Sequence, residues 1–294
     1  MVWRKTIERW SRMNRTRKRQ VDGQPAPSLN DESLLYQTLI GTWPLDELDA
    51  AGNAAFRERI EAYMVKAARE AKVRTSWANV NADYEDALTQ FVRTTLELRD
   101  GNLFLSDLVT VQRRLARFGL LNGLSQVLCK LTAPGVPDIY QGNEAWDFSL
   151  VDPDNRRPVD FTRRAQLMRS ARKLGAAEAL ADWDSGMPKL WMTARILNVR
   201  KARPEDFSPA SKYQPLVAQG RHLGRLLAFR RGDNLIAVVP RFTMTLAGEW
   251  ADTRLPLPGG AWRNCFTDQV IQREVLPAAL FELFPVALLI RDAE

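Results

Sequence analysis

Apolar residues in the first two hundred positions recur at helical intervals, with polar and charged residues between them. Residues 54–72 carry Phe56, Ile60, Met64 and Ala67 at spacings of three and four, which is the pattern of an amphipathic helix. Comparable patterns predict helices near residues 1–19, 31–43, 83–92, 102–118, 120–131, 162–174 and 188–203. This part of the chain is therefore predicted to be largely helical.

The periodicity changes after about residue 205. Short β-prone runs follow one another, separated by turn signals such as Gly232-Asp233 and Pro258-Gly259-Gly260. Short strands at this spacing predict an antiparallel β-sandwich. We therefore expect one domain over residues 1–205 and a second over residues 206–294. The predicted strands are Gly224–Phe229, Leu235–Pro240, Thr243–Leu246, Trp262–Phe266 and Val286–Ile290.

The stretch over residues 131–161, LTAPGVPDIYQGNEAWDFSLVDPDNRRPVDF, carries the candidate chemistry. Residues 136–140 read as a short buried strand, which runs into a loop rich in carboxylates, amides and aromatic rings. Such loops present polar substrate sites in many α/β enzymes. Sugars fit this loop, because its polar groups can pair with hydroxyls while aromatic rings cover the apolar face of a pyranose. The alternative is a solvated loop with internal ion pairs.

The charge distribution and the amino-acid composition argue against several classes of function. The net charge of +7 lies within residues 1–19, where eight basic residues face Glu8 alone, so the remainder is neutral overall. A nucleic-acid-binding protein usually carries its charge over a folded face, so nucleic acid is not the expected partner. The sequence has no run of about 20 apolar residues and no secretory signal. Two cysteines and one histidine favour a cytoplasmic chain without a metal site or other cofactor.

Three segments, in this order, resemble maltooligosyltrehalose synthases, a branch of the α-amylase superfamily. They are NDESLLYQTLIGTWP at residues 30–44, KAAREAKVRTSWANVNADYEDAL at residues 66–88, and APGVPDIYQGNEAWDFSLVDPDNRRPVDF at residues 133–161. Three ordered segments are a specific signal, whereas the GxPxxYxGxE pattern alone would indicate only the superfamily.

The resemblance implies a fold of two parts. The first is the C-terminal portion of a (β/α)8 barrel, with its last strand at residues 136–140, and the second is a β-sandwich domain. In the superfamily the catalytic carboxylates follow earlier barrel strands, and a His-Asp motif marks one of them. This sequence contains no His-Asp pair. We therefore expect a C-terminal part of a longer enzyme, without catalytic residues and inactive when isolated from the missing part of the barrel.

The resemblance also implies the reaction. Family members isomerise the reducing-end α-1,4 bond of a maltooligosaccharide to an α,α-1,1 bond, as glycosyl-transferring isomerases of trehalose biosynthesis. Such retaining chemistry uses two carboxyl groups about 5–5.5 Å apart and a covalent glycosyl intermediate. The freed glucose must then be held and turned, so that its anomeric hydroxyl attacks in place of water.

Seven residues of the loop are candidates for contacting the sugar or for shaping its site. The alternative is scaffolding, in which Arg156 and Arg157 only pair with Asp152, Asp154 or Asp160. Two other functions stay open for the chain: a non-catalytic α-glucan-binding or scaffold module, and an interaction protein acting through its basic N-terminal helix. The seven candidates are Tyr140, Gln141, Glu144, Asp147, Asp154, Asn155 and Arg157.

Overall fold

The computed structural model describes residues 2–291, with the backbone alone for Val2. These residues form two compact units. Unit 1 contains the chain up to Ala116 together with Phe148–Arg157, and unit 2 contains Arg117–Asp147 and the chain from Pro158 onward.

Unit 1 is helical, apart from one small hairpin. Most of its helices begin at a polar side chain that accepts a hydrogen bond from a free backbone N–H group of the first turn. Ser28 caps one helix through the Asp31 amide, Asp49 caps the next through Gly52, and Asn81 caps a third through Tyr84. The helices are α1 (Val2–Asn14), α2 (Leu29–Thr42), α3 (Ala50–Ala71), α4 (Ala82–Thr95) and the first half of α5 (Leu103–Thr132).

The hairpin of unit 1 pairs β1 (Arg19–Val21) with β2 (Gln24–Ala26) in antiparallel register. Its turn is Asp22-Gly23, and both residues have positive φ, +53° and +70°. Two successive left-handed residues form the tight turn whose twist matches that of the flanking strands, and Asp-Gly is a favoured pair for it.

Aromatic rings form the centre of the unit 1 core. Trp10, Tyr36 and Phe104 lie with ring centroids 5.4–5.5 Å apart and are almost completely buried. Beside them the buried carboxylate of Glu32 accepts hydrogen bonds from Tyr36, Ser11 and Lys18. These contacts bring α1, α2 and α5 to one aromatic centre.

Helix α5 is longer than predicted. The sequence pattern indicated two helices, near residues 102–118 and 120–131, but one continuous helix spans Leu103–Thr132. Gly119, which lies between the two predicted helices, is inside it. A glycine in a helix interior costs about 1 kcal/mol relative to alanine, which lowers local stability but leaves the backbone hydrogen bonds intact.

Unit 2 combines helices with a curled sheet. The helices are α6 (Phe161–Ala171), α7 (Ala176–Ala181), α8 (Met187–Ala202), α9 (Thr243–Leu246) and α10 (Pro277–Leu280), besides the second half of α5. The strands are β3 (Tyr213–Leu216), β4 (Leu226–Arg231), β5 (Leu235–Pro240), β6 (Leu255–Asn264), β7 (Val270–Val275) and β8 (Ala287–Arg291). All six belong to one sheet in the order β3-β4-β5-β8-β6-β7, and each neighbouring pair is antiparallel.

Strand β5 is buried on both faces of this sheet. Side chains alternate between faces along a strand. Ile236 and Val238 join a cluster with Trp262, whereas Ala237 and Val239 join a second cluster that includes residues of α5 and α8. The strand therefore reads as a continuous apolar run, and it was predicted with the bounds that the structure has.

The expected fold class is confirmed: a largely helical part is followed by an antiparallel β domain. The division at residues 205 and 206 stays a prediction, since units defined by packing need not match the domains of a complete enzyme. Its outer limits, residues 1 and 294, lie outside the described residues.

Two predicted strands do not form. Residues 136–140 are irregular, and Val136, Ile139 and Tyr140 are exposed. A parallel strand needs hydrogen-bonding neighbours from its sheet, and no described strand pairs with this segment. Thr243–Leu246 is a helical turn, not a strand. Phe242 and Ala247 flank it in the left-handed conformation, with φ of +51° and +52°. An extended strand cannot continue through either residue.

We expect Glu32→Gln to lower the free energy of unfolding by about 3–5 kcal/mol, because it leaves the Lys18 ammonium group buried without its charged partner. The Lys18 Nζ to Glu32 Oε2 distance is 2.7 Å, and the two side chains are 10% and 1% exposed. Urea denaturation measures the change. The matched control is Glu47→Gln, which removes the exposed pair with Arg113 and should cost less than about 1 kcal/mol. Equal effects of the two variants would show that the buried Lys18–Glu32 pair contributes no more to stability than an exposed pair.

Candidate functional site

The candidate loop begins with a tight turn in unit 2. The Asn143 amide donates to the Tyr140 carbonyl oxygen at 3.1 Å, and Gly142 has a φ of +86°. A Cβ atom at Gly142 would lie 3.1 Å from Val159 and 3.2 Å from the Arg164 guanidinium group. Glycine is therefore needed both for the backbone conformation and for the close approach of Arg164.

Arg164 fastens this turn to helix α6. Its Nη2 donates to the Gly142 carbonyl oxygen at 2.6 Å, its Nε to Glu144 Oε2 at 3.1 Å, and its Nη1 to the Asp160 carbonyl oxygen at 3.2 Å. Asp160 in turn caps α6 by accepting from the Arg163 amide at 2.8 Å. One planar guanidinium group thus holds the turn, the Glu144 carboxylate and the start of the helix.

A second cation reaches the same turn from helix α8. Lys189 is 8% exposed, and its Nζ donates to Asn143 Oδ1 at 3.2 Å. Burial, reinforced by repulsion from Lys130, lowers the pKa of Lys189 to about 8, although Asp147 and Glu144 partly offset the shift. Lys189 is therefore mostly charged at neutral pH and loses its charge as the pH rises through about 8.

Trp146 packs inside unit 2. Its ring stacks on Trp183 with centroids 6.1 Å apart, and its indole N–H donates to the Trp183 carbonyl oxygen. Gly186 passes so closely that a Cβ there would lie 2.7 Å from Ala145. Trp146 is therefore a packing residue of unit 2.

Four of the seven candidates lie in this part of the loop. Tyr140, Gln141 and Asp147 are exposed, and Glu144 is half-buried. Glu144 Oε2 is bound to Arg164, whereas Oε1 has no hydrogen-bond partner among the described residues. The turn therefore presents a phenol, an amide and two carboxylates that can pair with hydroxyl groups.

The other three candidates lie in unit 1, where Asp154 is the most strongly held. It accepts from Arg59 Nε and Nη2, both at 2.8 Å, and from the Leu150 amide at 2.6 Å. Arg59 Nη2 also donates to the Phe148 carbonyl oxygen at 3.0 Å. Burial raises the pKa of Asp154, but the hydrogen bonds from Arg59 and Leu150 outweigh it, so this pKa lies below its ordinary value. These contacts favour a loop-shaping role for Asp154.

Asn155 and Arg157 flank this anchor. Arg157 Nε donates to the Asp154 carbonyl oxygen at 3.0 Å, and its Nη2 donates to Ser149 Oγ at 3.0 Å. Arg156 pairs with Asp152, and Arg157 Nε lies 3.1 Å from Asp154 Oδ1, so two of the ion pairs considered from the sequence do form. Asn155 Oδ1 is buried without a hydrogen-bond partner among the described residues. Buried polar atoms normally have partners, so this oxygen is an unsatisfied acceptor that its burial shields from solvent.

The candidates thus form two sets, one in each unit. Tyr140, Gln141, Glu144 and Asp147 accompany the turn held by α6 and α8 of unit 2, and Asp154, Asn155 and Arg157 accompany the segment held by α3 of unit 1. Sequence reasoning did not find the three cations that hold them, Arg59, Arg164 and Lys189. Lys189 had a visible signal, since it stands among Met187, Leu190 and Trp191 at the start of an apolar helix.

The described residues were also compared with the features of metal sites, membrane-spanning helices and reactive cysteines. Within residues 2–291, no three His, Cys, Asp or Glu side chains are grouped as metal ligands. None of the described helices has the length and apolar character to cross a membrane. Cys129 and Cys265 are both free, and burial raises the pKa of both thiols, to about 12 for Cys265. These thiols are therefore poor nucleophiles at neutral pH.

The fold of this chain is similar to that of solved maltooligosyltrehalose synthases. It superimposes on the maltooligosyltrehalose synthase from Arthrobacter ramosus with a TM-score of 0.77 and 34% identity, covering 97% of this chain and 35% of that structure. A second structure, of a maltooligosyl trehalose synthase, gives a TM-score of 0.78 at 28% identity, covering 99% of this chain and 36% of that structure.

Sequence comparison gives the same family. Putative maltooligosyl trehalose synthases from two strains of Mycobacterium tuberculosis, CDC 1551 and H37Rv, are 38% identical over 270 residues, which is 91% of this chain. No family model matches. The chain spans about a third of the length of these relatives and corresponds to their C-terminal part. The resemblance to maltooligosyltrehalose synthases is therefore confirmed over nearly the whole chain.

We expect Asp154→Asn to lower the free energy of unfolding at pH 7 by about 1.5–3 kcal/mol, because Arg59 loses a charged hydrogen-bond partner. The Asp154 pKa is lower in the folded chain, so the wild-type advantage is present above the unfolded value, near 3.8. It should disappear as the pH falls through the lower folded value.

Urea denaturation of both proteins at several pH values measures this difference. The matched control is Asp152→Asn, since Asp152 pairs with Arg156 in an exposed position and should contribute less than about 1 kcal/mol. An Asp154→Asn protein as stable as wild type at pH 7 would show that the anchor does not hold the segment.

Proposed function

We propose that this chain is the C-terminal part of a maltooligosyltrehalose synthase, which isomerises the reducing-end α-1,4 bond of maltooligosaccharides to an α,α-1,1 bond. The observation that carries the proposal is the 38% identity over 91% of the chain to relatives named for this activity. The polar turn of unit 2 supports it, because Glu144 Oε1 and the exposed side chains of Tyr140 and Gln141 can pair with sugar hydroxyls. We also propose a cytoplasmic location, which suits two free cysteines.

In this proposal the rest of the enzyme supplies the catalytic carboxylates. The nucleophile forms a glycosyl intermediate, and the general acid protonates the departing glucose. This chain contributes to the following step, in which the freed glucose must stay bound and present its anomeric hydroxyl in place of water. Glu144 Oε1, the Tyr140 hydroxyl and the Gln141 amide are the groups that would hold it. Asp147 belongs to the same proposed set in unit 2. In unit 1, Asn155 and Arg157 are proposed as separate contacts, and Asp154 shapes their segment.

A second candidate function is a non-catalytic α-glucan-binding or scaffold module. The exposure of Tyr140, Gln141 and Asp147 favours it, since these groups are accessible in the chain as it stands. The basic N-terminal helix gives less support to a nucleic-acid partner. Of the eight basic residues in positions 1–19, three are paired within unit 1: Arg9 with Asp107, Lys18 with Glu32 and Arg19 with Asp86.

The isolated chain should form no trehalose-ended product from maltopentaose, because the catalytic carboxylates are absent. Fusion behind the N-terminal two-thirds of the Arthrobacter ramosus enzyme should restore that product. Chromatography of the reaction products measures both. Product from the pure isolated chain would show that carboxylates of this chain are catalytic. A folded but inactive fusion, combined with maltooligosaccharide affinity of the isolated chain, would favour the binding module.

In the active fusion, Glu144→Gln should raise released glucose relative to trehalose-ended product, because the freed glucose loses a charged hydrogen bond worth about 1.5–3 kcal/mol. The expected shift in the ratio is severalfold or more. Arg164→Met tests whether Glu144 acts only through its partner, and Glu249→Gln is the control at an exposed carboxylate. Equal loss of both products would assign Glu144 to the fold or to the shared first step. An unchanged ratio at full activity would remove it from the site.

A further inference from the structure

Lys189 is in an unusual position for a lysine. It lies in the first turn of α8 and is 8% exposed, although lysine is rarely buried to this extent without compensation. Its one hydrogen bond among the described residues is to Asn143 Oδ1. A buried ammonium group with three donors and one acceptor is costly for stability, so its presence needs an explanation beyond packing.

Its partner Asn143 is the residue that closes the turn. The Asn143 amide donates to the Tyr140 carbonyl oxygen, and its side chain accepts from Lys189. Asn143 is therefore fixed at both its backbone and its side chain. Glu144, the next residue, is fixed separately by Arg164. The directions of Tyr140 and Glu144 consequently depend on two cations, one from α8 and one from α6.

The charged groups on the elements packed around Lys189 lie in the loop and on α5, α6 and α7. Lys130 on α5 opposes its charge, while Glu144 and Asp147 in the loop favour it. Arg164, the cation contributed by α6, is bonded to Glu144. Glu178, in the first turn of α7, accepts from the Gly175 amide. Protonated Lys189 is thus drawn toward the loop, and neutral Lys189 is not.

We propose that Lys189 is a positioning residue that fixes the turn over residues 140–143, and thereby the directions of Tyr140 and Glu144, and that this hold weakens when its ammonium group loses a proton. The proposal depends on the proposed function only in taking this turn to be sugar-binding. A neutral amine can still donate to Asn143, but it no longer attracts Glu144 and Asp147, so the turn loosens without unfolding.

Positioning and global stability respond to pH in opposite directions. The Lys189 pKa is about 8 in the folded chain, below its ordinary value of 10.5. Between these values the unfolded chain binds more protons, so the Lys189 contribution to stability rises with pH. The hold on the turn falls over the same interval. A residue with a merely structural role would not loosen the turn while the chain becomes more stable.

The test uses the 294-residue chain and nuclear magnetic resonance. In wild type, the ¹³Cε signal of Lys189 should titrate near pH 8, and the amide signals of residues 140–144 should shift with the same midpoint. Lys189→Met should speed amide hydrogen exchange in the turn about ten- to hundredfold at neutral pH, the effect of losing one charged hydrogen bond. Lys201→Met, at an exposed position on the same helix, should change neither.

Asn143→Ala provides a second variant that leaves Lys189 in place. It should loosen the turn to a similar extent, and combining it with Lys189→Met should add little, because both remove one interaction. Turn signals that do not follow the Lys189 midpoint in wild type would overturn the proposal even if Lys189→Met fails to fold. Additive effects of the two substitutions would also overturn it.

A separate arm uses the active fusion described above. There the ratio of released glucose to trehalose-ended product should rise above about pH 8 in wild type, and Lys189→Met should show the raised ratio at all pH values. An inactive wild-type fusion would count against the proposed function alone. An active fusion in which the ratio of released glucose to trehalose-ended product changes neither with pH nor on Lys189→Met would count against the positioning role alone.

Discussion

The segment between α5 and α6 has no regular strand, so its shape depends on cations that reach it from helices. Arg164 and Lys189 hold the turn in unit 2, and Arg59 holds the segment around Asp154 in unit 1. Backbone groups that lack a sheet must find other partners, and here guanidinium groups bind the carbonyl oxygens of Gly142 and Phe148. The same cations orient the carboxylates that make the loop a candidate sugar site.

This arrangement divides the carboxylates by role. Asp154 accepts from Arg59 and from the Leu150 amide, and its lowered pKa reflects that use. Glu144 uses one oxygen for Arg164 and keeps the other available. Asp154 therefore gives its segment of unit 1 its shape, whereas Glu144 in unit 2 keeps an acceptor for the proposed ligand. The cost of a buried lysine beside this turn is consistent with a site that requires precise orientation.

Periodicity alone predicted most of the elements. Helix α3 and strand β5 were found because their apolar residues follow helical spacing and a continuous buried run. The segment at residues 136–140 was predicted as a strand from its composition, but strand formation depends on neighbouring strands and not on local preference alone. Among the site residues, Glu144 and Asp154 could be chosen from the sequence. Their different roles could not, because Arg59 lies 95 positions from Asp154 and no local pattern joins them.

The central claim is that the turn of unit 2 holds the sugar through Glu144 while Asp154 only shapes its segment. A crystal structure of the fused enzyme with a bound maltooligosaccharide tests this directly. We predict Glu144 Oε1 within about 2.7–3.2 Å of a sugar hydroxyl, with Asp154 still bound to Arg59. A sugar that lies away from Glu144 and is bound instead by Asp154, released from Arg59, would contradict the account.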